Sequence, residues 1–221
     1  VISSMKDHRV LRLADGELTV LADLSGLVGG HLNDLVVSEA GHIYVGNFGF
    51  DLMGGGAPAT ADLIRVDPDG LVTVVATDLH FPNGSVITPD GSTLIVGETT
   101  GNRYTAFTIG PDGSLLARRP WATFAPVPTA GSFAEQLGQL VVSPDGCSLD
   151  AEGHIWAADA LGNRVLRVAP GGEVVEEIAG PDGLGIYACQ LGGESGTTLL
   201  LCCAPDFFEH LRAEATEAVL L

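Results

Sequence analysis

Pro144-Asp145-Gly146-Cys147 opens a stretch that runs through an apolar segment, a turn at Ala151-Glu152-Gly153 and a second apolar segment from His154 to Ala158. The same order recurs twice upstream. His31-Leu32-Asn33-Asp34 precedes the turn Glu39-Ala40-Gly41 and the segment His42 to Gly46, and Phe81-Pro82-Asn83-Gly84 precedes Pro89-Asp90-Gly91 and the segment Ser92 to Val96. Each copy therefore carries an amide or a carboxylate at one fixed point: Asn33, Asn83 and Asp145. Repeated β-units set around an axis bring equivalent loops to one end of it, so polar residues at matching points can form one shared site.

Between these copies lies a second repeated unit, with alternating apolar residues on both sides of a glycine-containing turn. It spans Val10 to Leu24 with Asp15-Gly16, Leu63 to Leu79 with Asp69-Gly70, Ala106 to Trp121 with Asp112-Gly113, and Val165 to Ala179 with Gly171-Gly172. Alternation about a tight turn is the pattern of a hairpin with one covered face. Inner pairs at Leu35 to Val45, Ser85 to Val96, Cys147 to Ala158 and Tyr187 to Cys203 give four blades, Val1 to Leu24 supplies the tail of another, and Ala215 to Leu221 starts one more strand. The fold class is all-β, a single β-propeller domain over residues 1–221, expected to be a piece of a six-bladed ring without its N-terminal blade or more. A sandwich also uses short strands but gives no reason for polar loops at matching positions. Two segments leave the repeat: Gly49 to Ala61, a loop placed to cover one channel end or to serve as a plain surface connection, and Pro126 to Gln139, with a helical turn around Phe133 to Leu137.

Composition removes several functions. The chain is 46% hydrophobic with 30 Gly and 12 Pro, which favours short strands and tight turns over helices. With 28 acidic residues against 10 basic ones, the net charge of −18 repels nucleic acid over most of the surface. Lys6 is the one lysine, and no Gly-x-x-x-x-Gly-Lys loop is present, so phosphate-cradling and Schiff-base chemistry lose their usual residues. No Gly-x-Ser-x-Gly, His-x-His or His-Glu-x-x-His occurs, which argues against a serine nucleophile and against a histidine-rich zinc centre. Cys147, Cys189, Cys202 and Cys203 sit in or beside apolar runs without Cys-x-x-Cys spacing and read as structural thiols. The longest apolar run, around Thr198 to Pro205, is strand-sized, so no membrane association is expected. A cytoplasmic location follows from the thiols, with a targeting segment ahead of Val1 left open.

The runs Asn33-Asp34-Leu35-Val36-Val37 and Tyr44-Val45-Gly46-Asn47-Phe48-Gly49-Phe50-Asp51, then Pro82-Asn83-Gly84, and Leu149-Asp150-Ala151-Glu152-Gly153-His154-Ile155-Trp156-Ala157-Ala158-Asp159 after Pro144-Asp145-Gly146, together carry a resemblance. The chain resembles the senescence marker protein/gluconolactonase family, also called regucalcin-like, whose members are six-bladed propellers. The resemblance implies hydrolysis of a small-molecule lactone with one divalent cation at the propeller centre. It implies that Asn83 and Asp145 bind the metal together with a Glu from an earlier blade, which has no counterpart here, and that Asn33 contacts water or substrate. His31 stands where several sugar-lactone members carry Arg, and an imidazole offers one donor and one acceptor in place of a guanidinium fork.

Amide and carboxylate oxygens are hard ligands, suited to Ca²⁺, Mg²⁺ or Mn²⁺, with Zn²⁺ also admissible. Ca²⁺ is the first expectation. Asp145 is the expected general base as well as a ligand, and Asn33 the residue that orients water or the ring oxygen. His31 and His80, beside the first two polar loops, are the expected substrate contacts. Asp34, Asp150 and Asp159 read as turn-capping or blade-pairing carboxylates, and Asp51 either faces the channel or holds its own loop. Trp121 and Trp156 read as blade-packing aromatics. Two other functions fit the same residues: phosphotriester hydrolysis, as in the related diisopropyl fluorophosphatase propellers, and cation binding without catalysis. The sequence leaves the lactone and the oligomeric state open.

Overall fold

Along each strand successive side chains point to opposite faces, and over Ile43 to Val45 both faces are covered. Ile43 and Val45 pack on one neighbouring sheet with Val10 and Leu24, while Tyr44 between them packs on the other with Leu94 and Val96. That is the demand a propeller makes of its strands, because every sheet is sandwiched between two others. The computed structural model describes residues 1–129 and 131–221.

The described residues form five antiparallel sheets in chain order. The first has three strands, β1 (Ile2–Ser4), β2 (Arg9–Ala14) and β3 (Glu17–Asp23). Three four-stranded sheets follow: β4 (Leu32–Val37), β5 (Ile43–Asn47), β6 (Ala61–Val66) and β7 (Val72–Leu79); β8 (Pro82–Ile87), β9 (Thr93–Glu98), β10 (Arg103–Ile109) and β11 (Leu115–Thr123); and β12 (Pro144–Leu149), β13 (Ile155–Asp159), β14 (Arg164–Val168) and β15 (Val174–Ala179). A short helix, α1 (Phe133–Leu137), separates the third and fourth sheets. The last sheet holds β16 (Gly185–Gly192), β17 (Thr198–Ala204) and, after the helical turn α2 (Glu209–Arg212), β18 (Val219–Leu220). The described residues thus form a β-propeller arrangement of five blades, and the strand expected within Ala215 to Leu221 is β18, which pairs with β17 in the last sheet.

Consecutive blades meet through separate apolar clusters. Tyr44, Leu63 and Leu79 of the second blade close on Leu94, Val96 and Phe107 of the third, and Ile95 and Tyr104 of the third close on Ile155 and Leu166 of the fourth. Cys189 and Cys203 fill the space between the last two blades, and all four cysteines are free thiols. Trp121 and Trp156 pack against these clusters, as blade aromatics should. The expected outer hairpins form, and Asp15 and Gly16 both take positive φ, 52° and 81°, as the tightest hairpin turn requires.

The inner strands β4, β8, β12 and β16 lie side by side about the channel, with β1 against β4. Each of these four strands is interrupted at one place. Between Leu32 and Leu35, between Pro82 and Ser85, and between Pro144 and Cys147 the register against the partner strand slips by one residue, and β16 slips between Ile186 and Ala188. A β-bulge leaves its extra residue outside the ladder and re-aims side chains. The bulged pairs are Asn33-Asp34, Asn83-Gly84 and Asp145-Gly146, with Tyr187 in the fourth strand. Glycine is needed at the second position of two of them, because the neighbouring strand is close: a Cβ on Gly84 would lie 2.1 Å from the Asp145 carbonyl oxygen, and one on Gly146 would lie 2.7 Å from the Ala188 Cβ.

The helical turn expected around Phe133 to Leu137 is α1, capped by Ser132 and Glu135 in a reciprocal pair of hydrogen bonds. Ala130, inside the same connecting segment, lies outside the described residues. No helix among the described residues is long and apolar enough to cross a membrane.

Candidate functional site

The bulges place Asn33, Asp34, Asn83 and Asp145 on the wall of one cavity of about 310 Å³ at one end of the channel. Tyr187, from the bulge of the fourth inner strand, reaches the same cavity. Leu52 and Met53 of the loop between β5 and β6 also line it, so that loop lies over this channel end.

A short network fixes the Asn83 amide. The Thr99 hydroxyl donates to the Pro144 carbonyl at 2.6 Å, so its lone pair is what accepts the Asn83 Nδ2 proton at 3.0 Å. Asn83 Oδ1 is thereby turned the other way, and this buried oxygen has no hydrogen-bond partner among the described residues. Buried acceptors are rarely left so. Asn33, also buried, donates Nδ2 to the Pro82 carbonyl at 3.4 Å, which ties the first polar loop to the second.

Asp145 is pushed up to about 8 by burial and by the charge of Asp34, with the Asn83 amide and the Gly146 N–H pulling it partly back. Asp34 is open to the lumen, yet the protein packed around the channel axis raises its carboxyl too. Two carboxyls and an unpaired amide oxygen thus face a space that no Lys, Arg or His lines among the described residues. This donor set fits a hard divalent cation, which would satisfy Asn83 Oδ1 and relieve both carboxyls.

Of the residues expected from the sequence, Asn33, Asn83 and Asp145 meet at this cavity. His31 and His80 are not on its wall. His31 lies between the rings of His8 and Phe48, at centroid distances of 6.2 and 5.6 Å, with its Nε2 3.6 Å from Glu209. His80 gives its backbone N–H to Glu98 at 2.8 Å, and burial lowers its imidazole below the ordinary range.

The turn-capping and blade-pairing reading fits Asp150, which accepts from Arg167 Nε and Nη2, and Asp159, which holds Arg164 at 2.9 Å and the Ser143 N–H at 2.9 Å. Asp51 holds its own loop by accepting the Gly54 N–H at 2.8 Å. It does not fit Asp34. This residue caps no turn and lies on the channel, because the β4 bulge puts it where β8 and β12 carry Gly84 and Gly146. A carboxylate standing where the other copies have glycine was the available signal.

Away from these polar groups most of the cavity wall is hydrocarbon. Phe81 and Phe48 stack with centroids 4.3 Å apart and planes at 22°, and Phe50 bridges Phe81 and Phe133 edge-on at 6.2 and 5.5 Å. Phe81 holds a φ of +60°, unusual for a bulky side chain and worth about 1–3 kcal/mol of strain. The Thr99 N–H to its carbonyl, at 3.0 Å, helps keep that conformation just before Pro82 and Asn83.

Residues 1–204 match the family described as the SMP-30/gluconolactonase/LRE-like region, and the chain belongs to that family. It is 28% identical over 207 residues to a pentonolactonase of Haloferax volcanii, covering 88% of this chain and 64% of that protein. The chain therefore spans somewhat less than two thirds of that relative. Among solved structures, a calcium-binding regucalcin from Agrobacterium tumefaciens superposes with a TM-score of 0.73 at 22% identity, over 97% of this chain and 70% of the other. A gluconolactonase from Xanthomonas campestris superposes with a TM-score of 0.66 at 26% identity, over 90% of this chain and 63% of the other.

Proposed function

We propose that the protein is a metal-dependent lactonase whose reaction takes place on the floor of the channel cavity. The observation that carries the reading is the unpaired, buried Asn83 Oδ1 facing the same space as the raised Asp145 carboxyl. Asn83 and Asp145 would hold a divalent cation, Ca²⁺ first, with Asp34 adding charge to the same floor. Such an ion supplies charge stabilisation for the oxyanion of the tetrahedral intermediate and lowers the pKa of a bound water.

The remaining chemistry falls to the chain. Asn33, anchored through Nδ2, presents Oδ1 to orient the attacking water. One Asp145 oxygen takes the proton of that water as its oxygen bonds to the lactone carbonyl carbon. When the intermediate collapses, the ring C–O bond breaks and Asp145 returns the proton to the departing alkoxide, leaving an open hydroxy acid. The six-bladed parent ring and the single domain over residues 1–221 belong to the same reading, supported by relatives longer than the five sheets.

The test is a lactone panel followed with a pH indicator, with aryl and alkyl phosphotriesters run alongside, before and after chelation. Ring opening that chelation stops and Ca²⁺ restores is the expected result, and Asp145→Ala should lower turnover by about 10²–10⁴-fold. Unchanged turnover in that variant removes Asp145 from the mechanism. Phosphotriester turnover without lactone opening, or cation binding without either, replaces the reading.

A further inference from the structure

We infer that the ring opened here carries an apolar substituent, so that the substrate class is an alkyl- or aryl-bearing lactone rather than a sugar-acid lactone. This inference rests on the lactonase reading and concerns which lactone the same cavity selects. The cavity's polar groups are concentrated on its floor, where Asn33, Asp34, Asn83 and Asp145 converge, and a cyclic ester would direct its carbonyl there.

The rest of the wall offers few polar partners. Phe48, Phe81, Phe133, Leu137, Leu140 and Phe207 supply carbon surface, and no Lys, Arg or His side chain lines the cavity among the described residues. Thr99 is already committed to Pro144 and Asn83, which leaves Thr100 and the Tyr187 phenol as the hydroxyls on the wall away from the floor. His31 packs beside Phe48 with its Nε2 3.6 Å from Glu209 and does not line the cavity.

A polyhydroxylated ring bound in this space would set several hydroxyls against hydrocarbon. Each loses its water without a replacement partner, and unpaired polar groups are what binding sites reject most strongly. An alkyl chain or fused aromatic ring has the opposite balance. It displaces water from the carbon surface that Phe48, Phe81, Phe133 and the leucines give the wall.

The experiment holds the six-membered ring constant and varies what it carries. The Ca²⁺-loaded full chain is given δ-valerolactone, its pentyl-substituted homologue δ-decalactone, and glucono-δ-lactone. The expected order of kcat/KM is δ-decalactone above δ-valerolactone above glucono-δ-lactone, with a gain of about threefold to fourfold per methylene that reaches the wall. Met53 and Leu161 stand at the rim, 37% and 44% exposed, where a charge is compatible with folding. Met53→Asp and Leu161→Asp should each lower the δ-decalactone to δ-valerolactone ratio by about threefold or more, the worth of one or two methylenes.

Faster opening of glucono-δ-lactone than of δ-decalactone overturns the inference and leaves the lactonase reading standing. If none of the three is opened, the lactonase reading fails, and binding of the matching pentyl-substituted and hydroxylated δ-lactams by calorimetry decides the cavity's preference. Tighter binding of the pentyl lactam then upholds the apolar selectivity, and equal or weaker binding ends it.

Discussion

Glu98 and Asp145 are both acids drawn into the protein, one between blades and the other on the channel axis, and their surroundings push them in opposite directions. Burial alone would raise Glu98, which is 0% exposed, but the Arg103 guanidinium at 2.8 Å, the Thr105 hydroxyl and the His80 N–H outweigh it and hold the carboxyl below its ordinary range. Asp145 has no guanidinium, and its nearest charge is another acid, Asp34, so it rises to about 8. The first acid brings its counter-charge with it in the chain. The second has no counter-charge among the described residues, and that difference marks off a structural carboxylate from the proposed ligand more clearly than burial does.

Removing each acid should break this contrast in a different way. Glu98→Ala leaves Arg103, Thr105 and the His80 N–H without their acceptor and should lose about 3–5 kcal/mol in urea unfolding, while the molecules that fold still bind Ca²⁺. Asp145→Asn should do the reverse, weakening Ca²⁺ binding by about 100-fold, or roughly 2.7 kcal/mol, in calorimetry with little loss of stability. A large stability loss in Asp145→Asn, or lost Ca²⁺ binding in folded Glu98→Ala, would erase the distinction.

The pH dependence sharpens it. Folded Asp145 keeps its proton up to about 8, whereas the unfolded chain releases it near 3.8, so between these values the folded state binds more protons. Stability of the cation-free protein contributed by this group is therefore full below about pH 4 and is lost as pH rises toward 8. Glu98 has the opposite sign, with its contribution present above the ordinary glutamate range and lost in acid. Unfolding curves across pH 5–8, with and without Ca²⁺, should show the Asp145 slope only in the absence of the ion. Ca²⁺ affinity should climb with pH over the same interval as the ion displaces the proton.

The smallest effects belong to the amides. Asn83→Ala removes a neutral oxygen and should weaken Ca²⁺ binding by about tenfold, or roughly 1.4 kcal/mol. Asn33→Ala should reduce turnover more than occupancy, which a kcat measurement at saturating Ca²⁺ checks directly.

Much of the architecture was written in local patterns. Turn glycines such as Gly16 and Gly172, and alternation such as Ile43, Tyr44, Val45, specify hairpins and two-faced strands without reference to distant residues. Asn33, Asn83 and Asp145 were legible because repetition revealed what each alone would hide among ordinary turn residues. Asp34 was not, since regular alternation would send it away from the face of Asn33, and only the slipped register between Leu32 and Leu35 brings both to the channel. His31 and His80 show the converse limit. Adjacency in sequence to a polar loop does not decide which way a ring turns, and Glu209, far along the chain, lies against His31 in a way no local pattern announces. The cavity's carbon walls, assembled from Phe48, Phe81, Phe133 and Phe207 in four separate connections, were equally out of reach.

The slipped registers also bear on how such a ring can change over time. A residue outside the ladder answers to the lumen and not to its neighbours in the pairing, so exchanging it rewrites what the lumen holds while the blades keep their shape. Gly84 and Gly146, hemmed in by the next strand, are closed to such exchange, while Asn33, Asp34, Asn83, Asp145 and Tyr187 stand where single replacements trade one chemistry for another with the scaffold carried forward intact.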